Sequence, residues 1–290
     1  SPRFYAKRQL TSKSDVSASA VYSMDAPQPY LHINAPVLSD YRNLFIGRTD
    51  GRYSQNVSVS VSYRYRNPLK ALFLNASATY SYRRATMMSN QIFIEDFIVT
   101  TYTHRLSHSS NWMFKGGFSK SLCHSRMTVG CDVSASLSSA SSMRDGSPVG
   151  YRQSVLALKP YFRGSLIKWL SANYQADYNV SRMKLSDERS SSQALSQNLS
   201  IAVIPHDCVT VTFGAEHFLT RFTGGDISNF ILLDASAAWN MNKKIRLSLT
   251  ANNLLNKRDY RYTNYGTLCY SEYSFQLRQR SILATLQFRF

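Results

Sequence analysis

The sequence predicts an all-β fold, a transmembrane antiparallel β-barrel of which about 12 strands lie in this chain. Apolar and polar residues alternate along most of its length. The longest apolar runs, such as residues 71–74 and 230–233, are far shorter than the 20 or so residues that a membrane-spanning helix needs. Short turns alternate with longer polar loops, as in bacterial barrels. Together these patterns predict a chain that crosses a membrane with strands.

The clearest alternation lies between residues 56 and 66, where odd positions are valine or tyrosine and most even positions are serine or arginine. Because successive side chains of a strand point to opposite faces, this segment predicts one apolar face and one polar face. The alternation resumes after a predicted turn at residues 67–70 and continues to residue 82. These two segments therefore predict a hairpin.

The same pattern predicts the remaining strands in order along the chain. The predicted strands lie near residues 16–22, 57–65, 72–82, 112–118, 129–137, 156–162, 174–180, 195–203, 209–215, 231–239, 245–251 and 282–290. Their lengths are near the 9 to 11 residues that cross a tilted bilayer. Their polar face is rich in Ser, Thr, Asn and Gln, which suits a wet lumen better than the packed core of a soluble sandwich.

Connection lengths predict the orientation, because bacterial barrels keep short turns in the periplasm and long loops outside. The predicted periplasmic turns are 67–70, 122–126, 166–169, 205–208 and 242–244. The predicted outer loops are 25–53, 85–108, 141–150, 186–193, 222–228 and 257–276. The last strand then descends to the periplasm, with Thr285, Gln287 and Arg289 toward the lumen.

Composition excludes other classes of protein. A chain that is 43% hydrophobic and 13% aromatic is too apolar for disorder. The net charge of +17 is spread along strands rather than gathered in one patch, which favours another polyanionic surface over nucleic acid as a partner. The first residues lack a signal-peptide pattern, so we expect either a processed chain or a piece of a longer one.

The sequence predicts no enzyme, no metal site and no cofactor. The spacing of His104 and His108 places two imidazoles on the same face only in a helix, but this region is predicted to be loop or strand. The four cysteines lack zinc-site spacing. Cys123 and Cys131 flank a predicted turn, and the sequence leaves open whether they form a disulfide or remain free thiols.

Four stretches of the chain carry a family resemblance. They are residues 38–47, the hairpin around 67–70, the segment Asn252-Asn253-Leu254-Leu255-Asn256-Lys257, and the ending at residues 280–290. They resemble the carboxy-terminal barrel portion of TonB-dependent outer-membrane receptors, particularly the branch related to glycan importers. Such receptors have a 22-stranded barrel filled by an amino-terminal plug domain.

The resemblance implies that residues 1–290 are an outer-membrane β-barrel segment with no plug domain, in a multi-pass bacterial outer-membrane protein. The expected function is nutrient uptake: the ligand binds outside, and plug movement powered by TonB opens a route through the lumen. TonB would be engaged only through the plug, and the glycan-importing branch often carries a surface lipoprotein. The alternative is a barrel without active transport, either a 12-stranded passive channel or a structural subunit of an outer-membrane complex.

Three groups of residues are candidate sites. The alternating ending Ile282, Leu286, Phe288 and Phe290 is a candidate signal for the barrel-assembly machinery, as the resemblance implies, and these residues also meet lipid. Tyrosines of the last outer loop are candidate ligand contacts, with loop packing as the alternative: Tyr262, Tyr265, Tyr270 and Tyr273.

The third group consists of basic residues near the predicted outer ends. Arg83, Arg84, Lys184 and Arg258 are candidate contacts to lipopolysaccharide phosphates, with ordinary solvated loop charge as the alternative. Further basic residues near these ends are Arg182, Arg189, Arg221, Lys257 and Arg261.

Overall fold

The structure of the chain, a computed structural model, is almost entirely β. It describes residues 1–26, 33–39, 41–47, 53–122, 126–186, 188–223, 225, 227–242, 244–265 and 270–288, with backbone only for 260–265 and 270–273. Within these ranges, no helix is long and apolar enough to span a membrane.

The described strands are β1 (Arg3–Thr11), β2 (Ser14–Asp25), β3 (Pro36–Leu38), β4 (Asn43–Ile46), β5 (Ser54–Asn67), β6 (Leu72–Ala85), β7 (Met88–Ile94), β8 (Phe97–Thr103), β9 (Ser107–Leu122), β10 (Met127–Arg144), β11 (Ser147–Ile167), β12 (Leu170–Leu185), β13 (Glu188–His206), β14 (Val209–Phe222), β15 (Ser228–Asn240), β16 (Ile245–Asn252), β17 (Asp259–Tyr265), β18 (Tyr270–Gln276) and β19 (Ser281–Phe288).

The main sheet is an antiparallel meander. Thirteen of the described strands follow one another across it in chain order, namely β1, β2, β5, β6, β9 to β16 and β19. The twelve predicted strands are all present. The additional strand is β1, in which Arg8 occupies a position on the otherwise apolar row of Phe4, Ala6 and Leu10, so the alternation is weaker there.

The described part of the meander has two unpaired edges. Strand β1 has a register only with β2, and β19 only with β16, so the described residues contain no ladder joining the two ends.

Two predicted outer loops are instead continuations of strands. The β10–β11 ladder reaches Arg144 and Ser147, and the β12–β13 ladder reaches Leu185 and Glu188, so segments 141–150 and 186–193 are tight hairpins. The first turn has positive φ at Asp145 (49°) and Gly146 (80°), the Asp-Gly signature of a two-residue hairpin. Their serine-rich sequence is typical of a loop, but in-register pairing extends both ladders beyond the strand lengths predicted to cross the membrane.

The predicted loops 25–53 and 85–108 contain a small sheet of their own. The hairpin β7–β8 pairs in parallel with β10 on one side and with β4 on the other. Met88, Val99 and Met143 are buried there, and the Arg144 guanidinium lies 4.8 Å from the ring centre of Phe93. An ordered sheet therefore stands at the outer end of β10.

The register separates two faces across the whole meander. On one face, rows such as Val59, Tyr80, Trp112 and Leu137 run from strand to strand through directly opposed positions. Aromatic rings meet on this face, with Tyr80 and Trp112 centred 4.6 Å apart. Many of its large apolar side chains are exposed, as a lipid-facing surface requires. We call it the apolar face, and the opposite one the lumen face.

Gly130 of β10 illustrates close packing on the lumen face. A Cβ added to Gly130 would lie within 2.6 Å of the Tyr161 ring and of the Phe118 carbonyl oxygen. Because the backbone oxygen cannot move aside as a side chain can, Gly130→Ala is expected to lower the free energy of unfolding by about 1–3 kcal/mol. Chemical denaturation of the full-length protein in lipid vesicles would measure this.

Gly150 provides the matched control, since a Cβ there would meet nothing within 4 Å. We expect Gly150→Ala to change the free energy of unfolding by no more than about 0.5 kcal/mol. Equal effects of the two substitutions would contradict the importance of the Gly130 contact.

Candidate functional site

The lumen face carries the acidic side chains of the meander, and they are engaged locally. Asp15 accepts from Arg64 at 3.0 Å and lies 4.0 Å from the Lys7 ammonium. Asp177 pairs with Lys159 at 2.5 Å and accepts from Asn179 at 2.6 Å. These contacts are typical of a charged, hydrated surface and bring together no pair of carboxylates for acid–base chemistry.

Serine hydroxyls contribute the rest of the polar lining near the start of the meander. Ser17 and Ser62 are 2.7 Å apart across neighbouring strands, as are Ser19 and Ser60. This agrees with the prediction that the even positions of β5 face a wet lumen. Among the described residues, no group of three or more His, Cys, Asp or Glu side chains could hold a metal ion.

The histidine and cysteine candidates take part in local contacts. His108 Nδ1 lies 2.7 Å from the Tyr82 hydroxyl, and the two rings are stacked, so His108 forms part of the outer aromatic rim. Cys131 carries a free thiol, whereas Cys123 lies outside the described residues, as does Cys269. Cys208 Sγ lies 3.2 Å from His206 Nδ1 at a periplasmic-side turn.

The segment Asn252 to Lys257 forms a clamp at the base of the last outer loop. Asn253 is 6% exposed, and its Nδ2 donates to the carbonyl oxygens of Lys257 (2.7 Å) and Arg278 (2.9 Å). Its Oδ1 accepts from Lys257 N at 2.9 Å. The Asn253 side chain therefore ties together the two ends of the segment that carries β17 and β18.

Two further contacts complete this clamp, which we call the Asn253 clamp. Asp234 Oδ1 of β15 accepts from Asn253 N at 2.7 Å, and Asn256 Oδ1 accepts from Arg280 N at 3.0 Å. Both asparagines have positive φ (54° and 51°), a conformation that Asn tolerates better than most residues. The motif on which the family resemblance rests is thus a loop anchor.

The candidate ligand tyrosines lie on the hairpin that this clamp holds. Tyr262 is opposite Tyr273, and Tyr265 is opposite Tyr270, in the separate two-stranded sheet of β17 and β18. The backbone register therefore brings the four predicted positions together as two cross-strand pairs.

The candidate assembly strand forms a free edge of the meander. Ile282, Leu286 and Phe288 lie on β19 and are exposed on the apolar face, while Phe290 lies outside the described residues. The edge of β19 that faces away from β16 has no partner strand among the described residues.

The four predicted lipopolysaccharide contacts do not form one cluster. Arg83 lies on the lumen face and donates to Ser54 Oγ at 3.0 Å, whereas Arg84 lies on the apolar side opposite Gln55. Arg258 lies beside the Asn253 clamp, where its carbonyl oxygen accepts from Leu277 N at 2.7 Å. Lys184 of β12 is the member that the structure places among other cations.

Lys184 lies in a row of three cations on adjacent strands. Arg152 of β11 is directly opposite Lys184, which is directly opposite Arg189 of β13. Arg182 lies two residues before Lys184 on β12, directly opposite Ser154 of β11 and Ser191 of β13. Arg152 is not among the predicted contacts, because nothing in the sequence alone aligns β11 with β12.

Solved structures of similar fold are outer-membrane receptors. The chain is similar to the ferric yersiniabactin uptake receptor FyuA of Yersinia pestis (TM-score 0.54, 10% identity), covering 99% of this chain and 49% of the receptor. It is similar to the FrpB iron transporter of Neisseria meningitidis (TM-score 0.57, 10% identity). That match covers 90% of this chain and 44% of the transporter. The ferripyoverdine receptor of the outer membrane of Pseudomonas aeruginosa is also similar (TM-score 0.53, 8% identity). That match covers 91% of this chain and 40% of the receptor.

These likenesses show the fold, which is that of part of an outer-membrane receptor β-barrel. The chain spans about half the length of the solved receptors that it matches. The sequence matches no family model and no curated protein.

Proposed function

We propose that this chain forms part of the barrel of a TonB-dependent outer-membrane receptor that imports a scarce nutrient. The observation that carries the proposal is the 13-stranded meander, which has one apolar face and one polar face. The edges of β1 and β19 are unpaired among the described residues, and the chain covers about half of each similar receptor. A complete receptor would supply the remaining strands and the plug.

In this proposal the chain positions and conducts its ligand without chemical catalysis. The β17–β18 hairpin carries the paired tyrosine positions in the last outer loop, and aromatic rings suit a flat or sugar-like ligand. The lumen face, with its ion pairs and serine hydroxyls, keeps the route hydrated after plug movement. Energy reaches the receptor through TonB acting on the plug, which lies outside this chain.

The free edge of β19 supports a second role in assembly. An unpaired strand with alternating apolar side chains can be recognised by addition of another strand. We propose that Ile282, Leu286, Phe288 and Phe290 form the segment that the barrel-assembly machinery pairs with before the barrel closes. In the finished barrel the same edge would pair with the first strand of the remaining part.

The ligand class follows from two lines of support. The similar solved receptors are named for ferric chelates or iron, which makes an iron chelate the first class to test. The motifs that resemble the glycan-importing branch make an oligosaccharide the second class, and that branch would add a surface lipoprotein over the outer loops.

Whole-cell uptake of labelled nutrients tests the transport proposal. In cells making the full-length protein, we expect saturable uptake of one class among ferric chelates, haem, cobalamin and oligosaccharides, and loss of that uptake when TonB is deleted. Tyr262→Ala and Tyr273→Ala should lower uptake at limiting ligand concentration, whereas Tyr63→Ala at the opposite rim should not. Uptake that persists without TonB would instead support a passive channel.

A further inference from the structure

The basic row of β11, β12 and β13 lies on the apolar face, at the outer ends of the strands. We define the basic row as Arg152, Lys184 and Arg189, which are directly opposed, together with Arg182. Directly opposed like charges in a sheet destabilise it, since their Cβ atoms are only about 4.5–5.5 Å apart. A sheet with three directly opposed cations on adjacent strands is therefore stabilised by an anion that binds among them.

Within the described strands of the meander, no acidic residue shares a face with this row. All acidic residues within the thirteen strands of the meander lie on the lumen face by register: Asp15, Asp25, Asp132, Asp177, Glu188, Glu216 and Asp234. In the described part of the chain, the structure records no ion pair for any member of the basic row. Among the described residues, the row is therefore a positive charge on the apolar face with no acidic partner.

The surface around the row is a groove with apolar and polar parts. The groove has a volume of about 520 Å³ and is lined by the four cations together with Trp112 and Leu137. Trp112 and Leu137 are exposed and belong to the apolar face, where Trp112 packs beside Tyr80 in the aromatic rim. Aromatic residues of this kind sit at the headgroup level of a membrane.

We propose that this groove binds the phosphate groups of an anionic lipid of the outer leaflet, with the lipid's acyl chains lying along the apolar face. Guanidinium groups match phosphate oxygens with paired hydrogen bonds, and the Ser154 and Ser191 hydroxyls beside Arg182 can add further donors. The site rests on the proposed membrane placement of this face. It does not depend on which nutrient the receptor transports.

Retention of a phosphorylated lipid by the purified full-length protein tests the site. The probe is lipid A bearing two phosphates, mixed into detergent micelles and measured by native mass spectrometry. The double variant Arg182→Gln/Lys184→Gln is expected to bind this lipid about 30-fold more weakly, since each basic residue near an anionic surface contributes about fivefold. The wild-type protein should also prefer it over the same lipid without phosphates.

A matched variant separates a specific site from general charge. Arg8→Gln/Lys120→Gln removes two exposed cations from the apolar side at the turn end of the strands, and it should leave lipid A retention unchanged. Equal loss in both double variants, or retention by Arg182→Gln/Lys184→Gln at the wild-type level, would overturn the proposal. Displacement of the lipid by millimolar inorganic phosphate would show that the groove takes free phosphate instead.

This measurement is independent of transport. Because uptake and lipid retention are measured separately, loss of TonB-dependent uptake would leave the lipid site standing, and loss of the lipid site would leave the receptor proposal standing. Melting of the wild-type protein in the presence of lipid A provides a second readout, with stabilisation expected for the wild type and absent in Arg182→Gln/Lys184→Gln.

Discussion

Replacing Val133 by arginine is expected to lower the free energy of unfolding of the membrane-embedded barrel by about 2–4 kcal/mol, the cost of this side chain at the bilayer midplane. Val133 lies midway along the membrane part of β10, is 38% exposed, and has Gly116 and Leu158 as its cross-strand partners. None of these neighbours offers a polar partner on the apolar face, so an arginine there must reach a distant headgroup or remain in hydrocarbon.

Ser134→Arg is the matched control, because it places the same side chain one position along on the lumen face. Asp132 lies on that face two residues away and can pair with the new guanidinium, which offsets the repulsion from Lys115 directly opposite. We expect a change of no more than about 0.5 kcal/mol for a solvated position of this kind. Urea titration of the full-length protein in lipid vesicles would measure both variants, and similar costs would show that the two faces are wrongly assigned.

Replacing Asn253 by alanine is expected to cost about 2.5–6.5 kcal/mol of stability and to weaken ligand binding by the last outer loop. The substitution removes three hydrogen bonds of a nearly buried side chain, each worth about 0.5–1.5 kcal/mol. It also leaves alanine in a left-handed conformation that costs about 1–2 kcal/mol.

Three further variants separate the contributions to the Asn253 clamp. Asn253→Gly removes the same hydrogen bonds but relieves the strain, so it should be about 1 kcal/mol more stable than Asn253→Ala. Asn253→Asp keeps the acceptor for Lys257 N and loses both donated bonds. Asn252→Ala is the control on the neighbouring residue. If Asn253→Ala unfolds at the same urea concentration as Asn252→Ala, the clamp does not stabilise the barrel.

The period-two alternation was sufficient to predict the class of fold. It identifies which side chains of each strand share a face, because the period of a strand is fixed by backbone geometry. The twelve strands with clear alternation are all present, whereas β1 required the structure because Arg8 interrupts its apolar row. The strand ends that pair up to Arg144 with Ser147 and up to Leu185 with Glu188 were predicted as loops, since serine-rich strands outside the membrane lack apolar alternation.

The candidate sites were less accessible to sequence reasoning. The motif around Asn253 was identified by its family resemblance. Its role as a loop anchor follows from contacts to residues 234, 278 and 280, which are remote in sequence. Lys184 and Arg189 were visible as basic residues, yet only cross-strand register brings Arg152 beside them.

The sequence by itself therefore determined the strands, the two faces and the positions of most turns, because each depends on residues close together in the chain. The tertiary structure decided that the described edges of β1 and β19 are unpaired, that the acids of the thirteen meander strands all lie on the lumen face, and that the basic row forms across three strands. These features depend on register, which hydrogen bonds between strands set and which a period of two leaves undetermined.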